Sequence, residues 1–294
     1  MIPHPTAPSF DLDNALALVR LAALAYPERG ESERAYRDRL DHCAHRIVHP
    51  EILLRHFAAR DTDTQGFVAA TPDAIVVAFR GSREPLDFLT DVKFRKVESE
   101  LIGGRVHRGF LRAFESVEVE VIHLVQSLRR RLDQPLFLTG HSLGAALATL
   151  AAPALARIHE ALPFVYTFGS PRVGDGAFAE QFDELLGPRA FRFVNNEDPV
   201  PRLPAFWHNY WHVGHEAFFT RGELIIDPSL GCKLVSDARG IWSDYRRGRL
   251  ALLPDHFIRH YVTRLETLTR PERGHSCPPP APSLEADRNV RAPI

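Results

Sequence analysis

Residues 136–148 read Leu136-Phe137-Leu138-Thr139-Gly140-His141-Ser142-Leu143-Gly144-Ala145-Ala146-Leu147-Ala148. The run ending at Thr139 suits a short buried strand, and the alanine- and leucine-rich run after Gly144 suits a helix. A serine stands between them with a glycine two positions to either side. This is strand, G-x-S-x-G, helix, the turn in which a serine is held on strained backbone with Oγ exposed while the glycines let strand and helix pass closely. The positive end of the helix then faces whatever the serine attacks. Ser142 is therefore the candidate nucleophile. His141, beside it on the same turn, cannot easily bring its ring back onto Oγ and is read as structural.

Outward from this turn the pattern repeats. Short apolar runs predict strands over 66–70, 74–79, 164–168 and 190–194, with weaker ones at 211–213 and 224–226. Helical spacing predicts helices over 110–132, 143–158 and 176–186. Nearer the start, Leu12, Leu16, Val19, Ala23 and Leu24 form an apolar stripe that Pro27 ends, and a more charged helix is expected over 33–45. The apolar stripe suits a sheet or a membrane surface; the sheet is preferred. Strands alternating with helices indicate an α/β fold, a mostly parallel sheet with helices on both faces. A single domain over 1–269, opening with a helical segment over 10–46, is expected. Residues 270–294, rich in proline, are expected to form a disordered tail.

Composition narrows the function. The 294 residues carry a formal net charge of -1 and a pI near 7.0, so no global field favours nucleic acid. Cys43, Cys232 and Cys277 lack the spacing of a disulfide framework or a zinc site. No basic leader is recognisable in 1–10, and no apolar run reaches the roughly 20 residues of a membrane span. A cytoplasmic location is the expectation.

A nucleophilic serine needs a base and an acid, following it in the order Ser, Asp or Glu, His. The predicted strand over 190–194 is followed by Asn195-Asn196-Glu197-Asp198-Pro199, at the strand end where α/β sheets place their sites. Asp198 is the best acid; Glu197, Asp175 and Asp227 are weaker candidates. For the base, Asp255-His256-Phe257-Ile258-Arg259-His260-Tyr261 opens the last predicted helix and offers two histidines one turn apart. His256 is preferred over His260, because the helix start lies nearer the loop end of the sheet. The oxyanion needs two donors. Leu143 supplies the N–H after the nucleophile, and Ser82, in Arg80-Gly81-Ser82 after the strand over 74–79, is the second.

These pieces together resemble the class 3 lipase family of the α/β-hydrolase superfamily. The resemblance rests on Val77-Ala78-Phe79-Arg80-Gly81-Ser82, on Val106-His107-Arg108-Gly109-Phe110, on 140–146, on 167–175, on 194–204, on Trp211-His212-Val213-Gly214-His215-Glu216, and on Asp255-His256 with Tyr261. It runs in family order over roughly residues 60 to 265. It implies a triad of Ser142, Asp198 and His256, with Ser82 and Leu143 at the oxyanion, and no metal or organic cofactor. His208, His212 and His215 have ligand-like spacing, but the resemblance puts His212 on a structural strand. It also implies a lid over 83–97, where Leu86, Phe88 and Leu89 would give an apolar side toward lipid. Many relatives carry tryptophan where this chain has Phe88.

The implied activity is hydrolysis of carboxylic esters, foremost of acylglycerols, through an acyl-enzyme on Ser142. Phospholipids or other esters such as feruloyl esters are alternative substrates. A catalytically silent binding module is the alternative from another class. The implied partners are a lipid or other ester substrate and a transient lipid interface. Arg246, Arg247 and Arg249, beside Trp242 and Tyr245, suit a solvated face more than an anionic headgroup site.

Overall fold

The computed structural model describes residues 10–28, 30–47, 51–82, 95–131, 133–159, 162–196, 198–220, 223–229 and 256–269. Ten strands are described: β1 Leu53–Ala59, β2 Thr64–Ala70, β3 Ile75–Phe79, β4 Lys96–Glu98, β5 Arg105–His107, β6 Leu136–His141, β7 Phe164–Phe168, β8 Ala190–Asn195, β9 His215–Phe219 and β10 Leu224–Ile226. The helices are α1 Leu12–Leu24, α2 Glu33–Ile47, α3 Arg108–Leu128, α4 Leu143–Ala156, α5 Gly176–Leu186 and α6 Ile258–Thr269.

Eight strands form one sheet in the order β1-β2-β3-β6-β7-β8-β9-β10. The run from β3 to β9 is parallel, and β1, β2 and β10 add antiparallel edges. Side chains alternate between the two faces with the period of two that strands impose. Ile75, Val77 and Phe79 of β3 pack with α3, α4 and α5, while Val76 and Ala78 pack with α1 and α6. Both faces are therefore covered, which explains why the central strands read as unbroken apolar runs. This is the α/β-hydrolase fold, as expected. The apolar stripe of α1 lies on the sheet, with Leu18, Val19, Leu21 and Ala22 fully buried.

Several elements differ from expectation. β1 was not anticipated, because Leu53-Leu54-Arg55-His56-Phe57 alternates irregularly at an edge where only Phe57 is fully buried. The strand expected over 211–213 is a single bridge at Trp211. Gly214, at φ +64° and packed against Ala190, turns the chain first, and the ladder begins at His215. The expected lid over 83–97 is too long at its end, since Lys96 and Val97 belong to β4, paired with β5. Residues 83–94, with Leu86, Phe88 and Leu89, lie outside the described residues, as do the 270–294 tail, Cys232, Cys277 and the 242–249 cluster. Among the described residues no helix is long and apolar enough to cross a membrane.

Candidate active site

Ser142 joins β6 to α4 with φ +58° and ψ -124°. Such backbone at a non-glycine residue costs on the order of 1–3 kcal/mol and persists only where the surroundings enforce it. Here the Ser142 N–H donates to Phe168 O on β7 at 3.0 Å, and the Ser142 carbonyl accepts from Ala145 N at 3.0 Å as α4 begins. A Cβ on Gly140 would collide with the Gly144 carbonyl, and one on Gly144 with the Phe79 carbonyl. The two glycines are thus a steric condition for bringing β3, β6 and α4 together at the serine.

Ser142 Oγ lies 2.9 Å from His256 Nε2. The other ring nitrogen, Nδ1, is 2.9 Å from both Asp198 Oδ1 and Oδ2. All three residues are buried, at 4%, 2% and 1% exposure respectively. A carboxylate accepts but does not donate, so Nδ1 carries the imidazole proton and the Nε2 lone pair faces the Ser142 hydroxyl. Asp198 also accepts from Val200 N at 2.9 Å and from Tyr261 Oη at 2.5 Å, so its buried charge is offset by three donors. Burial, and then the negative charge of Asp198, hold the Tyr261 hydroxyl well above its ordinary range, so it stays a donor.

His141 is tied to the same group from behind. Its Nε2 lies 2.6 Å from the His256 carbonyl and must donate there; its Nδ1 then accepts from Tyr26 Oη at 2.8 Å. The two imidazole centroids are 4.6 Å apart. Burial, reinforced by the neighbouring His256, holds His141 well below the usual imidazole range, so it adds no charge beside the base. The structural reading of His141 fits these contacts. Tyr26 had no motif to reveal it; its one signal was a tyrosine closing the first amphipathic helix just before Pro27.

Ser82 and Leu143 line one cleft of about 330 Å³, together with Gly81, Arg80 and the first turns of α3 at Gly109 and Ala113. Leu143 is the first residue of α4, so its N–H has no acceptor within the helix. Arg80 is 3% exposed and donates to Gln65 Oε1 and Asp63 Oδ2, both at 2.6 Å. Those bonds pin the Gly81–Ser82 turn to the β1–β2 hairpin.

The remaining candidates go elsewhere. His256 sits just before α6 rather than inside it, and His260 is directed to the Arg259 side chain at 3.4 Å. Asp175 caps α5, accepting from Phe178 N and Arg105 N. Asp227 pairs with His215 Nδ1 at 2.7 Å. Glu197 and Asp255 lie outside the described residues. His212 Nε2 contacts the Pro201 carbonyl at 2.7 Å, off any strand. Among the described residues no three His, Cys, Asp or Glu side chains group as metal ligands.

The family model described as Lipase (class 3) matches residues 76–207. That span holds the Arg80–Ser82 turn, the elbow and Asp198. Over that span the chain matches the class 3 lipase family. A secreted mono- and diacylglycerol lipase 1 of Fusarium solani is 38% identical over 167 residues, covering 54% of this chain and 49% of that protein. Phospholipase A1-II 6 of rice, Oryza sativa subsp. japonica, is 32% identical over 258 residues, covering 70% of this chain and 62% of the rice protein. Among solved structures, the lipase of Rhizopus microsporus var. chinensis superposes with a TM-score of 0.65 at 26% identity, covering 81% of this chain and 93% of that one. The chain spans about half the length of the curated relatives it matches first. The expected cytoplasmic location is corrected by these matches: relatives of this similarity are named as secreted proteins, and the lack of a recognised leader motif does not specify a compartment.

Proposed function

We propose that this protein is a serine hydrolase that cleaves carboxylic esters of acylglycerols through an acyl-enzyme on Ser142, within a single catalytic domain over 1–269. The observation that carries the reading is the unbroken relay Asp198, His256, Ser142, with each contact at 2.9 Å and all three residues buried. His256 takes the hydroxyl proton at Nε2 as Oγ adds to the acyl carbonyl, and Asp198 holds the tautomer and offsets the imidazolium that forms. The carbonyl oxygen gains charge in the Ser82 and Leu143 cleft, where the Leu143 N–H and the Ser82 N–H or hydroxyl are the donors assigned to it. Collapse expels the alcohol with the proton returned by His256. Water, deprotonated by the same nitrogen, then releases the fatty acid and restores Ser142.

A phospholipid is the second substrate reading, favoured by the likeness to a rice protein named phospholipase A1-II 6 over 70% of this chain. The test is turnover of a short p-nitrophenyl ester, followed by triacylglycerol and phosphatidylcholine. Ser142→Ala should lower turnover of the soluble ester at least about 10³-fold; retention of wild-type turnover would sink the assignment.

A further inference from the structure

Two side chains of α2 reach past their own helix to the end of α1. Tyr36, buried with Leu40 against the sheet face that α1 covers, donates from Oη to the Ala25 carbonyl at 3.0 Å. Arg39 Nη2 donates to the Tyr26 carbonyl at 2.9 Å. Arg39 is itself fixed by a two-pronged pair with Glu31, Nε to Oε1 at 2.8 Å and Nη2 to Oε2 at 3.0 Å, and its guanidinium lies 5.5 Å over the Tyr36 ring. Glu31 Oε2 also accepts from the Glu28 N–H at 2.8 Å. Carbonyls at a helix C-terminus find no partner within the helix, and a positive charge is favoured there. The end of α1 takes both its donors and its charge from α2.

What these bonds orient is the Tyr26 hydroxyl, which touches both halves of the reacting centre. It donates to His141 Nδ1 at 2.8 Å on the elbow. It also accepts from the backbone of Gly81, where an added Cβ would come within 2.1 Å of it and 2.4 Å of the His141 carbonyl. Gly81 carries the turn to Ser82, so one oxygen ties the oxyanion turn to the elbow. The donors run in one direction: Gly81 N–H to Tyr26 Oη, Tyr26 O–H to His141 Nδ1, and His141 Nε2–H to the His256 carbonyl. Burial holds the Tyr26 hydroxyl above its ordinary range, so it stays a donor. Arg80 fastens the same turn to the β1–β2 hairpin, and Tyr26 fastens it to the catalytic serine's own strand.

We propose that Tyr36 and Arg39 of α2 are positioning residues for the reaction: by holding the carbonyls of Ala25 and Tyr26, they set the Tyr26 hydroxyl that locks the Ser82 turn to the His141 elbow. Donors aimed at a developing oxyanion act only if they are already in place, and a small misplacement costs rate rather than ground-state binding. Helix α2 therefore acts on kcat through Tyr26, although neither Tyr36 nor Arg39 touches the substrate. The inference rests on the hydrolase reading, which gives the turn and the elbow their purpose.

The test is a double-mutant cycle on the full chain, read as steady-state turnover of a soluble p-nitrophenyl ester. Arg39→Met keeps an unbranched stem against Tyr36 and removes the donors; kcat should fall about three- to tenfold with KM unchanged. Tyr36→Phe removes a single oxygen and should lower kcat about two- to threefold, again without a change in KM. In a Tyr26→Phe background no hydroxyl remains to be set, so neither substitution should lower kcat further. Unchanged kcat for both variants in the Tyr26 background would overturn the proposal. So would the same fold-loss in both backgrounds, which is what a general loosening of the fold gives, or a rise in KM at constant kcat. If Arg39→Met does not fold, the isosteric Tyr36→Phe carries the comparison alone. Ser142→Ala on the same ester keeps the two readings apart. Turnover that survives it defeats the hydrolase reading, whereas its loss together with an additive cycle defeats only the role given to α2.

Discussion

Tyr261→Phe removes one oxygen from the deepest part of the site, and its cost follows from the contacts of that atom. The ring is fully buried and meets Phe168, His141 and Phe219 at centroid distances of 6.1, 5.9 and 6.2 Å, contacts that phenylalanine keeps. What is lost is the 2.5 Å bond to Asp198 Oδ2 and the acceptor for Asn195 N at 3.2 Å. A hydrogen bond to a charged group contributes about 1.5–3 kcal/mol, and loss of a buried acceptor adds to that, so the expected loss of stability is about 3 kcal/mol. Turnover should suffer less. Asp198 keeps the His256 and Val200 donors, so kcat on a soluble ester should fall by no more than about tenfold. Urea unfolding, with the slope unchanged and the midpoint lowered, measures the first quantity and steady-state kinetics the second. A stability change below about 1 kcal/mol, or a kcat loss as large as that of His256→Ala, would refute the reasoning.

Other consequences follow from neighbouring residues. Tyr26→Phe deprives His141 Nδ1 of its donor and loosens the hold on the His256 backbone; kcat should fall about three- to tenfold with KM unchanged, so that kcat/KM falls equally. Gly169, at φ +57°, would place a Cβ 2.8 Å from Asp198 Oδ2 and 3.2 Å from His256 Nδ1, so Gly169→Ala should reduce kcat at least about 10²-fold, and normal activity would mean that this pair is not the one that reacts. His107 is held neutral by burial, its pKa pushed down to about 4, and its Nδ1 accepts from Phe110 N at 3.3 Å to cap α3. The unfolded chain protonates at its ordinary pKa near 6.5 while the folded one does not until about 4. Unfolding therefore takes up a proton in that window, and stability falls with falling pH, by up to about 3 kcal/mol at its lower end. His107→Asn keeps a capping acceptor and should reduce that slope in urea midpoints between pH 7 and 4.5, leaving the part contributed by His56, which burial also holds near 4, and by His141, which burial holds well below the usual imidazole range.

Much of this was legible before the fold was in view, for a physical reason. Strands covered on both faces must be apolar throughout, so β3, β6, β7 and β8 stand out, and the elbow's glycines are dictated by backbones that touch. The order Ser142, Asp198, His256 was legible from the template that accompanies a G-x-S-x-G elbow, in which the acid and then the base follow the serine. Edge elements were harder to read. β1 has one exposed face and mixed polarity, and β4 and β5 are three residues each, so neither builds a periodic signal. The placement of β9 was missed because Trp211-His212-Val213 looks apolar enough for a strand, whereas Gly214 decides where the ladder begins. Tyr26 was invisible because its partner, His141, is 115 residues away and single hydroxyl contacts leave no spacing pattern.

Labelling with a fluorophosphonate, followed by peptide mass mapping, tests the central claim most directly, because it reports the reactivity of one oxygen. The wild type should carry the adduct on Ser142, His260→Ala should label at the same rate, and His256→Ala should label at least about 10³-fold more slowly. An adduct on any other serine, or unchanged labelling of Ser142 without His256, would contradict the account.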